Sequence, residues 1–196
     1  MKRIILLTTA CMMGLASYSQ SFMHGAGAVV FVTKPTNGEA STIGGLTYSP
    51  RVNFVENDNM SVSVGVPLSV GLSGSYSSNR GSYSGESNNL SFMFNAPVIV
   101  NLNFGCGATK DVDSRFGFFI GAGYGYHYQS VNENFSDSFE NSYSYSGKAS
   151  TTGPVGNAGI RFGVGEVHNI EVKFSFMKGI TNDKPNIFGI GALFNF

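Results

Sequence analysis

A histidine and a nearby serine are the side chains in this sequence best suited to nucleophilic chemistry. His127 and Ser130 stand three positions apart, and a serine becomes a nucleophile only when a base lies within hydrogen-bond reach. In an extended strand an odd spacing places two side chains on opposite faces. We therefore expect no catalytic pair here, and we interpret His127 as a histidine of the interior or rim.

Two further motifs resemble ligand sites but lack the required context. Gly121, Gly123 and Gly125 match part of a dinucleotide-binding motif, but they lie in an extended segment without a following helix. Three acidic residues between positions 133 and 140 could attract calcium, although their spacing is not that of a calcium loop. We predict no catalytic residue, no cofactor and no metal site, and hence no enzyme.

Four charged residues form the strongest candidate cluster. Arg51, Arg161, Glu171 and Lys173 lie on the polar face of their predicted strands. Opposed charges inside a narrow barrel can satisfy one another, whereas unpaired charge facing hydrocarbon costs several kcal/mol. We favour a charged plug that holds the interior together; the alternative is that the same residues line a narrow ion path.

Segments with an apolar residue at every second position must place these side chains. This period is typical of a β-strand with two unlike faces. It is clearest at the C-terminus, where the residues at 188, 190, 192, 194 and 196 are apolar and those between them are mostly Gly or Asn. With a less regular first strand at 25–33, the pattern predicts eight strands. The other six lie within 46–54, 62–72, 92–104, 116–128, 158–164 and 169–178.

The connections alternate in length. Short or moderate turns are predicted at 56–59, 107–114 and 165–168, and longer connections rich in Ser, Asn, Gly and Tyr at 34–42, 74–89 and 129–148. An even number of antiparallel strands with both termini in the periplasm gives this alternation, although the last outer loop, 181–186, is short. Prolines at 50, 67, 97 and 154 fall within predicted strands, where we expect bulges or local breaks.

Composition and the N-terminus indicate export. Residues 1–20 have the basic start, apolar centre and small residues of a cleaved signal peptide, so the mature domain is predicted to span 21–196. Only 12% of the 196 residues are charged, against ~25% in soluble domains. The net charge of zero gives no basis for nucleic-acid binding. Cys106 is the only cysteine after the signal, which excludes an internal disulfide.

The placement of charge and aromatic residues distinguishes a membrane barrel from a soluble one. A lipocalin-like barrel has the same strand period, with its apolar face turned inward. Here the polar face carries the four charged residues, while the apolar face has aromatic residues near both ends of the strands. This favours an apolar face directed at lipid between two aromatic girdles.

The sequence resembles the eight-stranded outer-membrane β-barrels, in particular the OmpA transmembrane domain, OmpX and the porin-like barrels of Bacteroidetes. The alternate residues Phe188, Ile190, Phe194 and Phe196 resemble the C-terminal signal that the barrel-assembly machinery reads, and the segments at 46–51 and 96–102 resemble strands of the Bacteroidetes group. The resemblance implies a barrel in the outer membrane of a Gram-negative bacterium, in contact with outer-membrane lipid.

The family is functionally mixed, so the resemblance transfers no activity. Our leading hypothesis is a non-enzymatic barrel that supports the envelope and makes surface contacts through the predicted loops 74–89 and 129–148. The alternatives are a narrow porin-like channel and, third, a barrel enzyme that modifies lipid A.

Overall fold

The computed structural model describes residues 21–36, 40–79, 85–109, 113–137, 142–181 and 184–196. Within these residues the chain forms antiparallel strands, the first three of which consist of two segments each. The strands are β1 (Ser21–Met23 and Gly25–Lys34), β2 (Ser41–Tyr48 and Arg51–Asn57), β3 (Met60–Gly65 and Leu68–Asn79), β4 (Gly85–Gly105), β5 (Phe116–Asp137), β6 (Ser142–Val164), β7 (His168–Lys178) and β8 (Asn186–Asn195). None of the described residues belongs to a helix long and apolar enough to cross a bilayer.

Each strand pairs with the next, and β8 returns to pair with β1. The closing ladder runs from Asn186 opposite Lys34 to Asn195 opposite Gly25. The predicted all-β, eight-stranded, up-and-down antiparallel barrel is therefore confirmed. Closure pairs the backbone groups that an open sheet would leave at its edges. We call the end of the barrel that holds Ser21 and Phe196 the terminus end, and the opposite end the loop end.

Side chains alternate between the interior and the outer wall along the strands. On β8, Ile187 and Leu193 are each 2% exposed, whereas Phe188 and Phe194 are 49% and 42% exposed. The same alternation along β6 buries Arg161, which is 1% exposed, between two outward-facing apolar residues. The outer wall of the body is therefore apolar, and the charged residues of the predicted cluster lie inside.

Aromatic pairs lie on the outer wall toward both ends of the barrel. The rings of Phe116 and Phe162 are 5.6 Å apart near the terminus end. The rings of Phe92 and Tyr128 are 6.4 Å apart toward the loop end. Both pairs have the spacing of favourable aromatic contacts, and they place aromatic surface at the two levels where the sequence predicts the girdles.

The four prolines that the sequence places within strands fall into two groups, according to whether the strand breaks at the proline. Pro50 and Pro67 lie in the breaks that divide β2 and β3, as expected. At Pro97 and Pro154 the strands β4 and β6 themselves continue, and only the pairing with one neighbouring strand is interrupted. The ladder of β4 with β3 stops at Ile99 and resumes at Asn95, so Pro97 lies opposite the break at Pro67. Pro154 lies one residue beyond the last paired residue of the β6–β7 ladder. At both positions the ladder with β5 continues, while the other neighbouring strand offers no pairing that the missing N–H could interrupt.

The predicted loops at 74–89 and 129–148 are largely strand, which corrects the sequence interpretation. β3 and β4 pair as far as Asn79 with Gly85, and β5 and β6 pair as far as Ser136 with Ser142. The turns themselves, at 80–84 and 138–141, lie outside the described residues. Ser, Asn, Gly and Tyr are read as loop residues because they favour turns, but here each extended strand has a partner for its backbone groups.

These extensions give the barrel one tall side. β4, β5 and β6 contain 21, 22 and 23 residues, whereas β7 and β8 contain 11 and 10. At the loop end β3 to β6 therefore continue as a four-stranded sheet beyond the other strands. From Ser142 to Pro154, β6 extends past its ladder with β7 by roughly 40 Å, at ~3.3 Å per residue.

Candidate functional site

The terminus-end half of the interior contains the four predicted charged residues. Arg51 comes from β2, Arg161 from β6, and Glu171 and Lys173 from β7. Strand register explains part of the arrangement, because Arg161 and Glu171 are directly opposite each other in the β6–β7 ladder. Their exposed fractions lie between 1% and 8%. Residues 120 positions apart in sequence, Arg51 and Glu171, thus meet in a water-poor interior.

One carboxylate oxygen is the centre of the cluster. Oε2 of Glu171 accepts a hydrogen bond from Nε of Arg161 at 2.7 Å and another from Nη1 of Arg51 at 3.3 Å. Nδ2 of Asn195 lies 3.4 Å from the same oxygen. The guanidinium of Arg161 also stacks 4.3 Å from the ring centre of Phe119. Charge-assisted bonds and a cation–π contact therefore connect five strands across the interior.

The turn after β4 closes this end of the barrel. Nη2 of Arg51 donates to the carbonyl oxygen of Gly107 at 3.2 Å, and Nδ2 of Asn53 donates to that of Ala108 at 2.8 Å. Ala108 is fully buried, and Gly107 has φ of +70°. A Cβ at Gly107 would lie 3.0 Å from Cδ of Arg161. Glycine is therefore required twice here, for its left-handed backbone and for its missing side chain.

Cys106 begins that turn, outside the strands, and its thiol is buried. Burial raises the pKa of the Cys106 thiol, although Arg161 and Arg51 act in the opposite direction. The thiol therefore stays protonated at neutral pH and adds no negative charge to the cluster.

The loop-end half of the interior is apolar, which the sequence reasoning missed. Eight buried side chains from six strands pack together there. They are Val29, Phe31, Ile43, Met93, Ile99, Val155, Met177 and Ile187. The signal was present in the sequence, because Met93, Met177 and Ile187 occupy the same strand parity as the polar residues. The interior thus has two layers, a charged one and an apolar one.

The described residues enclose two small cavities in the interior, among others. Each has a volume of about 20 Å³, close to the space that one water molecule needs. The first lies in the apolar layer beside Phe31, Ile99 and Met177. The second, which we call the polar cavity, is bordered by Arg51, Lys173 and their neighbours in the charged layer.

Solved structures provide counterparts of this architecture. The crystal structure of Ail, the attachment invasion locus protein of Yersinia pestis, aligns with a TM-score of 0.52 at 13% identity, over 91% of this chain and 99% of Ail. Ail in complex with the heparin analogue sucrose octasulfate aligns with a TM-score of 0.51 at 16% identity, with the same coverage. The fold is that of the eight-stranded outer-membrane β-barrels.

A further structure with this outer-membrane barrel fold is more distant. Neisserial surface protein A aligns with a TM-score of 0.42 at 11% identity, over 90% of this chain and 97% of that one. No protein-family model matches the sequence, and no curated protein sequence does. The likeness is therefore one of fold.

The residues of the predicted assembly signal lie on the outer wall of β8 and at the chain end that follows it. Phe188, Ile190, Phe194 and Phe196 are between 42% and 55% exposed. The backbone N–H of Phe196 donates to the carbonyl oxygen of His24 at 3.0 Å, and the two rings are 4.4 Å apart. The C-terminal residue is thus attached to β1 at the point where the barrel closes.

His127 and Ser130 do not converge. His127 is buried in the interior, where its Nδ1 lies 3.3 Å from Oδ1 of Asn95. Ser130 pairs with Phe92 and shares the outward face of that residue. Within the part of the chain that the structure describes, no three His, Cys, Asp or Glu side chains gather into a metal site. Asp137 ends β5, and Glu140 lies outside the described residues.

Proposed function

We propose that this protein is an outer-membrane barrel of a Gram-negative bacterium, exported through residues 1–20 and inserted by the barrel-assembly machinery. Its outer wall supports this proposal. Leu46, Leu72 and Ile190 are 69%, 65% and 55% exposed, respectively. A wall of such residues in water would be an aggregation site, whereas in a bilayer it faces hydrocarbon.

The lengths of the connections support an orientation with both termini in the periplasm. At the terminus end β2 and β3 are joined by two residues and β6 and β7 by three. At the opposite end four strands extend beyond the barrel body. Outer-membrane barrels have short periplasmic turns and longer extracellular connections, so the tall sheet is the extracellular part.

We infer that the barrel does not conduct and that its tall sheet contacts other proteins at the cell surface. This inference rests on the two edges of the tall sheet, where backbone groups of β3 and β6 have no ladder partner among the described residues. Among the described residues, β3 pairs with β2 only up to Leu72, and the ladder of β6 with β7 ends at Val155. Beyond it, Ile180 and Thr181 still donate to the carbonyl oxygens of Thr152 and Ser150, so the free part of the β6 edge begins past Ser150. Exposed edges offer backbone donors and acceptors to an extended segment of a partner. The charged layer and the apolar layer, as far as the structure describes them, fill the interior and support a closed barrel.

The charge of the extensions argues against a polyanionic partner. Residues 74–89 and 129–148 contain Arg80 and Lys148 but four acidic residues. Ail binds a sulfated heparin analogue in its crystal structure, yet an acidic surface would repel such a ligand. Backbone pairing at the edges of the sheet is the interaction that this part of the protein favours.

Shortening the tall sheet tests the proposed contact. Residues 77–87 and 133–145 are each replaced by Asn-Gly, which forms a tight turn between paired strands, so the barrel body is retained. Cells that carry either form are compared for adhesion to a panel of immobilised secreted proteins. The proposal predicts that the shortened form loses adhesion while folding normally. Equal adhesion of both forms would refute the contact role.

Planar-bilayer recording tests the closed interior. The native barrel is expected to give no sustained current steps. Reproducible single-channel steps would contradict the proposal and support the porin-like alternative.

A further inference from the structure

The charges buried inside the barrel do not balance. Arg51, Arg161 and Lys173 are cationic, and Glu171 is the only carboxylate among the buried residues that the structure describes. The interior therefore has two more positive charges than negative ones. Charge removed from water is costly unless a partner is close, so this excess calls for a counter-charge.

Glu171 does not satisfy the whole group. Its ion pairs are with Arg161 and Arg51. Lys173, 8% exposed, forms no ion pair with the described residues. The Nε group of Arg51, although buried, has no hydrogen-bond partner there either. Two cationic side chains thus retain binding capacity at one place.

That place is the polar cavity. Arg51, Lys173, Asn101 and Asn157 line it, together with Arg161 and Glu171, which are already paired with each other, and its volume is about 20 Å³. A cavity of this size accepts a water molecule or an ion only slightly larger. The side-chain oxygens of Asn101 and Asn157 are buried without a donor. Both oxygens lie against Gly121, which leaves the NH₂ group of each amide as the donor available to a bound anion.

We propose that the polar cavity binds one small inorganic anion of halide size, such as chloride. Arg51 and Lys173 supply the charge, and the amides of Asn101 and Asn157 donate hydrogen bonds. The small volume favours a compact anion. Because the site is assembled from four strands, it is absent from the unfolded chain, and the bound anion stabilises the folded barrel.

Equilibrium unfolding in two salts tests the proposal. The purified protein is refolded in detergent micelles in sodium chloride or in sodium gluconate at equal ionic strength, so that screening is the same. Gluconate is too large for the cavity. Above the dissociation constant, the unfolding equilibrium constant is expected to fall about tenfold for each tenfold increase in chloride. Equal stability in the two salts would overturn the proposal.

Substitutions at two lysines distinguish chloride binding at the site from a general effect of salt on stability. Lys173 faces the interior and Lys178, on the same strand, is exposed. Lys173→Met is expected to weaken chloride binding about tenfold or more, because it removes one of the cations in a water-poor site. Lys178→Met is expected to retain the full chloride effect. An unchanged chloride effect in Lys173→Met would count against the site.

A carboxylate introduced next to the cavity by substitution provides a second test if Lys173→Met does not fold. Asn157 pairs with Ser175, two residues from Lys173. Asn157→Asp is expected to supply the counter-charge covalently, so the variant becomes equally stable in chloride and gluconate. A chloride effect as large as that of the native protein would contradict the proposal.

Anomalous diffraction locates the anion directly. Crystals of protein refolded in bromide are expected to show one bromide peak between Arg51 and Lys173 and none there in Asn157→Asp. A native structure with water alone at that position would overturn the proposal.

Discussion

Glu171→Gln removes the charge that holds two buried arginines, and it should be the most destabilising conservative substitution in the interior. The glutamine has the same shape and retains one oxygen acceptor, so the loss is that of the charge. Oε2 of Glu171 bonds Arg161 at 2.7 Å and Arg51 at 3.3 Å, and neither arginine is more than 5% exposed. Removing one partner of a buried ion pair costs ~3–5 kcal/mol; because an acceptor remains, we expect about 3 kcal/mol.

Urea unfolding in micelles, followed by the gel mobility of unboiled samples, measures this loss. A change of about 3 kcal/mol corresponds to a midpoint shift of roughly 1 to 3 M urea at typical denaturant sensitivities. Glu166→Gln is the matched control, because Glu166 is exposed in the turn before β7, and it should change stability by less than ~0.5 kcal/mol. A Glu171→Gln barrel as stable as this control would refute the view that the charged layer is structural.

Three further substitutions test separate parts of the account. Because burial raises the pKa of the Cys106 thiol, the folded protein should react with iodoacetamide at pH 8 more slowly than the urea-unfolded chain; equal rates would contradict its burial. Gly107→Ala should destabilise the barrel more than Gly165→Ala. Both glycines have positive φ, but only at Gly107 would the added Cβ meet other residues; equal losses would exclude a tight fit of the turn. Val98→Lys should cost ~2–4 kcal/mol in bilayers, and Val167→Lys much less; similar costs would argue against lipid at Val98.

The strands could be predicted because alternation is a local property of the sequence. The segment from Phe188 to Phe196 has one apolar and one Gly- or Asn-rich face, and only a strand separates them. The faces place Arg161 and Glu171 in the interior, but their direct pairing depends on the register that the structure gives. Even the break at Pro67 could be anticipated, because proline cannot donate to a ladder.

The features that the sequence reasoning missed depend on contacts between distant segments. The extension of β3 to β6 arises because each strand finds a partner, which a Ser-rich segment read alone does not reveal. The apolar layer was missed because an inward Met177 looks like an exception until Phe31 and Ile43 are placed beside it. The position of Gly107 under Arg51 and Arg161 depends on how the turn folds back into the barrel.

The direction of the apolar wall is the claim on which the account depends most, and a single introduced tryptophan tests it directly. The native chain contains no tryptophan, so the fluorescence of Val98→Trp and Val167→Trp reports one position each. In vesicles of lipids brominated in mid-chain, the account predicts strong quenching at position 98 and little at position 167. Equal, weak quenching at both positions would show that the wall faces water and would contradict the account.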